Sequence, residues 1–265
     1  MIRAARHGAG PLTALVLMGS LAACSSAGAT RAGTASDASS SPASTPEDST
    51  TPSHSPSAAP SPSPSPLPAR FRGTVSRIPP DLEAEMRGMT WRPGCPANLT
   101  DLRLLTLRYW GFDGVVHDGP MVVNERVAAD VVWVFRQLFD ARFPIKRMHL
   151  SRRYRPNHDD PNDRRDYTAS FNCRSVITPR GPLGTWSQHS YGWAIDINPI
   201  ENPYVGADGY VRNRNARPFR DRSLDLRGMI HPEDVVVRSF AAIGWGWGGS
   251  WSSGPDYMHF SLTGR

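Results

Sequence analysis

Two short segments hold the residues best suited to chemistry: Ser187-Gln188-His189-Ser190-Tyr191-Gly192-Trp193-Ala194-Ile195-Asp196-Ile197-Asn198-Pro199 and Gly254-Pro255-Asp256-Tyr257-Met258-His259-Phe260-Ser261-Leu262. In a strand starting near Ala194, Ile195 and Ile197 face the core, which puts Asp196 on the opposite face with Ala194 and Asn198. Gly192 lets the chain turn so that His189, seven residues before Asp196, points into the same space. In the second segment Met258, Phe260 and Leu262 alternate inward, and Tyr257, His259 and Ser261 face the other way. Two imidazoles and one carboxylate make a three-ligand tetrahedral zinc site with a fourth position free, the pattern of catalytic zinc. Asp256 stands just before the strand, where alternation does not place it: it either bends toward the site as general base or caps a turn. His-x6-Asp is a weak signal by itself, so spacing alone leaves metal binding open. The remaining histidines, His7, His54, His117, His149, His158 and His231, read as structural or solvated.

The elements that must position these residues follow from periodicity. From Arg70 to Leu99 the chain is rich in Pro and polar residues, with Met86, Met89 and Trp91 as docking points. Leu102 to Trp110 is apolar and β-leaning, and His117-Asp118-Gly119-Pro120 is a turn signal between two short strand-like runs. Asn124 is the expected N-cap of a helix whose apolar stripe is Val127, Val131, Val134, Phe135 and Leu138, closed by Pro144. Ile145 to Leu150, Tyr167 to Cys173 and Ala194 to Asn198 look like strands, and residues 151–166 like a polar loop. A second helix is expected from Pro232, with Glu233 and Asp234 in its first turn, burying Val236, Phe240 and Ile243 and stopping at Gly244. Strands mixed with two helices in no βαβ rhythm predict an α+β fold, with a small antiparallel sheet carrying the site and helices flanking it.

Ser-x-His-x-x-Gly-x-Ala-x-Asp at 187–196, followed by Asp-Tyr-x-His-Phe at 256–260, resembles zinc peptidases: VanY-type D-alanyl-D-alanine carboxypeptidases, D-Ala-D-Ala dipeptidases and L-alanyl-D-glutamate endopeptidases. The similarity to their actinobacterial exported members extends to Trp91-Arg92-Pro93-Gly94-Cys95-Pro96, Tyr109 to Gly114, Ser170-Phe171-Asn172-Cys173-Arg174, His189 to Tyr204 and Gly244 to Gly249. The resemblance implies the LAS or hedgehog-like peptidase fold, His189, Asp196 and His259 as ligands of one Zn2+, and Asp256 as catalytic base. The chain has Asp where many relatives have Glu as base, and Ser261 where many have Glu after His-Phe. A zinc there would bring the pKa of its water near 7 and polarise a peptide carbonyl, with Asp256 taking the proton. Arg174 is the candidate for stabilising the oxyanion, because relatives place an arginine at the site; Arg155, in Ser151-Arg152-Arg153-Tyr154-Arg155, is its rival. In the Gly/Trp run from Gly244, Trp245 reads as packing, while Trp247 and Trp251 either pack or line the groove.

The chain has 265 residues, 25 prolines and three cysteines. Arg3 and Arg6 precede a short apolar run, so residues 1–23 read as an export signal. It ends in Leu21-Ala22-Ala23-Cys24, which resembles the lipobox of bacterial lipoproteins and implies cleavage before Cys24 and lipid on its thiol. Residues 24–68 are Ser, Thr, Ala and Pro-rich and read as a disordered tether, able to reach on the order of 100 Å. That leaves 69–265 as a single peptidase domain, extracytoplasmic, anchored to the outer face of the membrane and working in the wall. With Cys24 lipidated, Cys95 and Cys173 remain as an even pair and are expected to form a disulfide. The net charge of +6 comes without any Lys/Arg block, and Lys146 is the sole lysine. Nucleic-acid binding is therefore excluded, and the expected state is a monomer. The function this predicts is hydrolysis of peptidoglycan stem peptides, most simply as a D-Ala-D-Ala carboxypeptidase. An L-Ala-D-Glu-type endopeptidase, a non-catalytic wall-binding lipoprotein and a structural zinc protein are the alternatives.

Overall fold

The computed structural model describes residues 69–150, 166–178 and 181–265. The export signal, Cys24, the tether, the 151–165 loop, His158 and Arg155 lie outside the described residues. In chain order the elements are β1 (Gly73–Arg77), α1 (Pro80–Met86), β2 (Leu102–Gly111), β3 (Val116–Asn124), α2 (Ala128–Asp140), β4 (Pro144–Ile145), β5 (Ser175–Thr178), β6 (Gly181–Trp186), β7 (Ala194–Asp196), α3 (Val235–Ala242), β8 (Gly246–Trp247) and β9 (His259–Ser261). They form one sheet in the antiparallel order β1-β2-β3 with β4 parallel to β2, a β5-β6 hairpin, and a three-stranded antiparallel sheet β7-β9-β8. This is a mixed α+β fold with small antiparallel sheets.

The turn expected at His117 to Pro120 is not there. β3 runs straight through it, paired from Leu102 opposite Asn124 to Trp110 opposite Val116. The chain reverses instead after Gly111, where Gly114 takes φ 77°. Pro120 is tolerated because β3 is an edge strand of its sheet, where a missing N–H breaks no ladder. Asn124 caps as expected: its side chain accepts from Arg126 N, opening a 3-10 turn that runs into α2. The second helix starts later than the sequence suggests. Glu233 sits at φ 63°, and Asp234 is the N-cap, accepting from the N–H groups of Val236 and Val237.

Tyr167 to Cys173, expected as a strand, is extended but makes no continuous ladder. Thr168 N donates to Arg147 O, Ala169 exchanges bonds with Asp196, Phe171 N donates to Val122 O, Asn172 N to His189 O and Cys173 N to Thr90 O. A segment that changes partner at nearly every step is a seam between other elements. Likewise the expected 145–150 strand is broken: Ile145 pairs with Gly111 in β4, and Met148 makes an isolated parallel bridge to Thr168 of the seam. The face expected to be open around Asp196 is partly covered by this seam, so Ala194 and Asn198 are fully buried. Leu262 turns outward because β9 ends at Ser261, and Ser261 is buried with its hydroxyl on Arg265 O.

One core holds the site's strands. Val131, Val134, Phe135 and Leu138 of α2 pack with Leu105, Leu107 and Met121 of the large sheet, and with Ile195, Phe260, Val236 and Phe240. Phe260 stacks on Phe240 with ring centroids 4.3 Å apart. Each fully buried side chain of this size contributes about 1.5–3 kcal/mol, so β7 and β9 are fixed by packing and do not depend on a metal to pair.

Cys95 and Cys173 form a disulfide, closing a separation of 78 residues. In the chain-entropy view a loop that long stabilises by up to about 4.5 kcal/mol. Labelling of the unreduced, unfolded domain should find neither thiol reactive, and removing both cysteines should lower the unfolding midpoint in denaturant; two reactive thiols would refute the bond.

Candidate metal centre

His189 is delivered by a 3-10 turn, Gln188–Tyr191, that Ser187 caps through its hydroxyl and Gly192 ends at φ 69°. Gly192 is required twice. Its φ favours glycine, and a Cβ there would come within 2.6 Å of Asn124 N. The His189 Nδ1–H donates to Ser170 O at 2.8 Å, which leaves the Nε2 lone pair facing Asp196 Oδ2 at 3.3 Å. Asp196 and His259 stand directly opposite each other in the β7-β9 pair, so their side chains share a face. His259 Nδ1 is 3.1 Å from Asp196 Oδ1, and the two imidazole rings are 5.1 Å apart, edge to face.

The structure thus brings His189, Asp196 and His259 together, with one ligand atom from each lying within 4.8 Å of the others. Burial pushes the His189 pKa down, outweighing the pull of Asp196, and a neutral imidazole is what a metal needs. Burial opposes the charge on Asp196 as well, yet the two imidazoles hold its carboxyl far below the ordinary carboxylate range. His259 is raised: burial works against its charge, and the Asp196 and Asp256 carboxylates overcome it. His189 Nε2 is buried and has no hydrogen-bond partner. A buried lone pair converging with a carboxylate and a second imidazole is satisfied by a cation, and two nitrogens with one oxygen suit zinc.

Asp256 stands beside this cluster on irregular chain. Its N–H donates to Gly248 O at 3.0 Å and its carbonyl accepts from His259 N at 3.2 Å. The carboxyl Oδ1 is buried and unpartnered. Burial, then the charge on Asp196, pushes its pKa up to about 7. Of the two sequence readings, an unpartnered buried oxygen supports the base over the turn cap. Arg174 follows the disulfide and is locked by its backbone, N–H to Ser190 Oγ at 2.8 Å and O accepting from that hydroxyl at 2.7 Å. Its positive charge is felt at both His189 and Asp256, lowering each.

The tryptophans divide. Trp247 is core, stacked over Phe260 with its Nε1–H on Tyr257 O, and Trp245 packs on Phe240. Trp251 is half-buried with its ring 5.7 Å from His259 and its Nε1–H on Gly264 O.

Four residues escaped the sequence reading of chemistry. Ser170 orients His189 through its carbonyl and donates its hydroxyl to Ala194 O at 2.6 Å, tying the seam to β7. Gly248 gives close approach: a Cβ would meet Asp256 O at 2.6 Å and His259 Cβ at 3.3 Å. The Gly/Trp run was the visible signal for it. Glu201 and Asp166 are both buried, with Ile200 N donating to Asp166 Oδ1 at 3.0 Å.

That carboxyl pair gives a pH signature. Burial, then the hydrogen bond to Asp166 and that group's charge, raises Glu201 from an ordinary value near 4.5 to about 9. The folded state therefore favours protonated Glu201, and stability present at low pH is lost as pH rises from the ordinary Glu range toward 9. Glu201→Gln, always neutral, should be more stable than wild type by roughly 3 kcal/mol near pH 7, converging with it near pH 4. Thermal unfolding of both proteins between pH 4 and 9 checks this; parallel curves would refute it.

Residues 180–262 match a family model described as D-alanyl-D-alanine carboxypeptidase. The matched stretch contains His189, Asp196, Asp256 and His259, leaves out Cys95, Cys173 and Arg174, and is less than half of the chain. No curated protein and no solved structure gives a match. With the His/Asp/His cluster, the family match supports a peptidase of a kind related to peptidoglycan.

Proposed function

We propose that the protein is a zinc-dependent peptidase that hydrolyses peptidoglycan stem peptides as a D-Ala-D-Ala carboxypeptidase, exported and held to the outer face of the cell membrane by a lipid on Cys24. The observation that carries the reading is the buried, unpartnered His189 Nε2 converging with Asp196 and His259 next to the unpartnered carboxyl of Asp256, all inside the matched stretch. Zinc bound by the three residues would supply a Lewis acid and an activated water. Asp256, with its pKa near 7, is suited to accept a proton at Oδ1 and to return it to the leaving amine. Arg174 would supply a positive charge to an oxyanion formed at the substrate carbonyl. Ser170 holds His189 in the tautomer that keeps Nε2 free.

The deciding experiment measures bound zinc and then follows purified sacculi by mass spectrometry. Release of terminal D-alanine supports the carboxypeptidase. Cuts between L-Ala and D-Glu would replace it with the endopeptidase, and zinc-loaded protein that binds sacculi without cleaving them would replace it with the wall-binding lipoprotein.

A further inference from the structure

Asp256 lies between Trp251 and β9 on chain that belongs to no strand and pairs through an isolated antiparallel bridge to Tyr204, and such chain places side chains less sharply than strands do. Beyond its own bond to Gly248, its neighbours are tied by Val205 N to Pro255 O at 2.8 Å and by Tyr257 N to Pro203 O at 3.4 Å. The adjacent side chain is better seated. The Tyr257 ring lies against the Arg222 guanidinium, with Cζ 4.3 Å from the ring centroid.

Arg222 is built in. Its Nη1 donates to Glu201 O at 2.9 Å and Phe219 O at 3.1 Å, and its Nη2 to Asn202 Oδ1 at 3.2 Å and Ile230 O at 2.6 Å. Asn202 is itself fully buried, accepting from Ile230 N at 2.7 Å and donating to Gly228 O at 2.9 Å. Glu201 and Asn202 belong to the chain that leaves β7, the strand of Asp196. The guanidinium is thus a flat cation held jointly by the chain that leaves the strand of Asp196 and by the Phe219 and Ile230 carbonyls. A planar, delocalised cation stacks on an aromatic face in a way that an ammonium does not.

Resting on the peptidase reading above, we infer that Arg222 and Tyr257 are positioning residues: the guanidinium, locked onto the chain leaving β7, is the plate against which Tyr257 holds Asp256 at the metal centre. Neither touches the reacting atoms. They act through the backbone that carries Asp256.

Tyr257→Leu removes the ring and leaves the bonds of Arg222 in place, Tyr257→Phe keeps the ring, and Tyr257→Met fills the space with a flexible chain in case the leucine variant does not fold. Amide hydrogen exchange at Asp256, Tyr257 and Met258 of the zinc-loaded full chain reads the positioning without any substrate. It should quicken roughly tenfold or more in the leucine or methionine variant and stay at the wild-type rate in the phenylalanine variant, with equal zinc in all. On peptidoglycan fragments, kcat should fall roughly tenfold or more with KM nearly unchanged, and phenylalanine should restore it. Wild-type exchange in the leucine and methionine variants, or equal losses with phenylalanine, would overturn the inference. The expected exchange differences among the variants, found alongside a wild-type chain that hydrolyses nothing, would sink the peptidase reading and leave the positioning supported.

Discussion

Asp256→Ala is expected to lower hydrolysis of stem peptides by roughly 10²–10⁴-fold, the usual worth of a positioned general base. That corresponds to about 3–5 kcal/mol of transition-state stabilisation. The protein should stay folded and keep its zinc. The substitution removes a buried carboxyl whose Oδ1 has no partner, so the folded state loses little and sheds a desolvation cost. The backbone bonds of Asp256 to Gly248 and His259 do not use the side chain, so β9 and His259 keep their place. Asp256→Asn sharpens the test, since it preserves shape and removes basicity. Turnover of either variant near the wild-type rate, with zinc bound, would eliminate Asp256 as the base.

Asp196→Ala should have the opposite signature, losing metal and activity together. Outer-shell partners of a metal site alone are worth about 10–100-fold in affinity, so removing the carboxylate that links both imidazoles should weaken zinc by at least roughly 100-fold. The imidazoles would also change. Asp196, more than Asp256, draws His259 upward, and it partly offsets the burial of His189, so without it His259 titrates lower and the two rings lose the carboxylate between them. Zinc measured by metal analysis after dialysis should fall below one per chain. Thermal unfolding should still show a cooperative transition, because Ile195 and Phe260 remain in a core that packs without metal. A chain that unfolds on chelation would point to structural zinc instead.

The convergence of His189, Asp196 and His259 was partly legible in local rules, since Asp196 and His259 alternate with fully buried Ile195 and Phe260 and Gly192 marks the turn that returns His189, while their reading as ligands came from the family resemblance. The two helices were visible in their 3.6-residue stripes, though Asp234 as cap moved the second start. β3 was misread since Gly119-Pro120 looks the same in a turn and on an edge strand, and only the neighbouring strand decides. The seam at 167–173 had no single partner, so no period could announce it. The Arg222 plate and the Glu201–Asp166 pair arise from contacts between distant segments, to which composition and spacing are blind.

The seam carries a further meaning. It holds Ser170, which aims one metal ligand, and it ends at Cys173, whose sulfur ties it across to Cys95 immediately before Arg174. The covalent bond therefore pins the Cys173 end of a short run that braces the candidate metal centre, and a chain with free thiols would have His189, Asp196 and His259 without this bracing. On the function proposed above, oxidation would complete this bracing only after export, where disulfides persist, so the wall-directed activity would be weakest in the compartment where the chain is made.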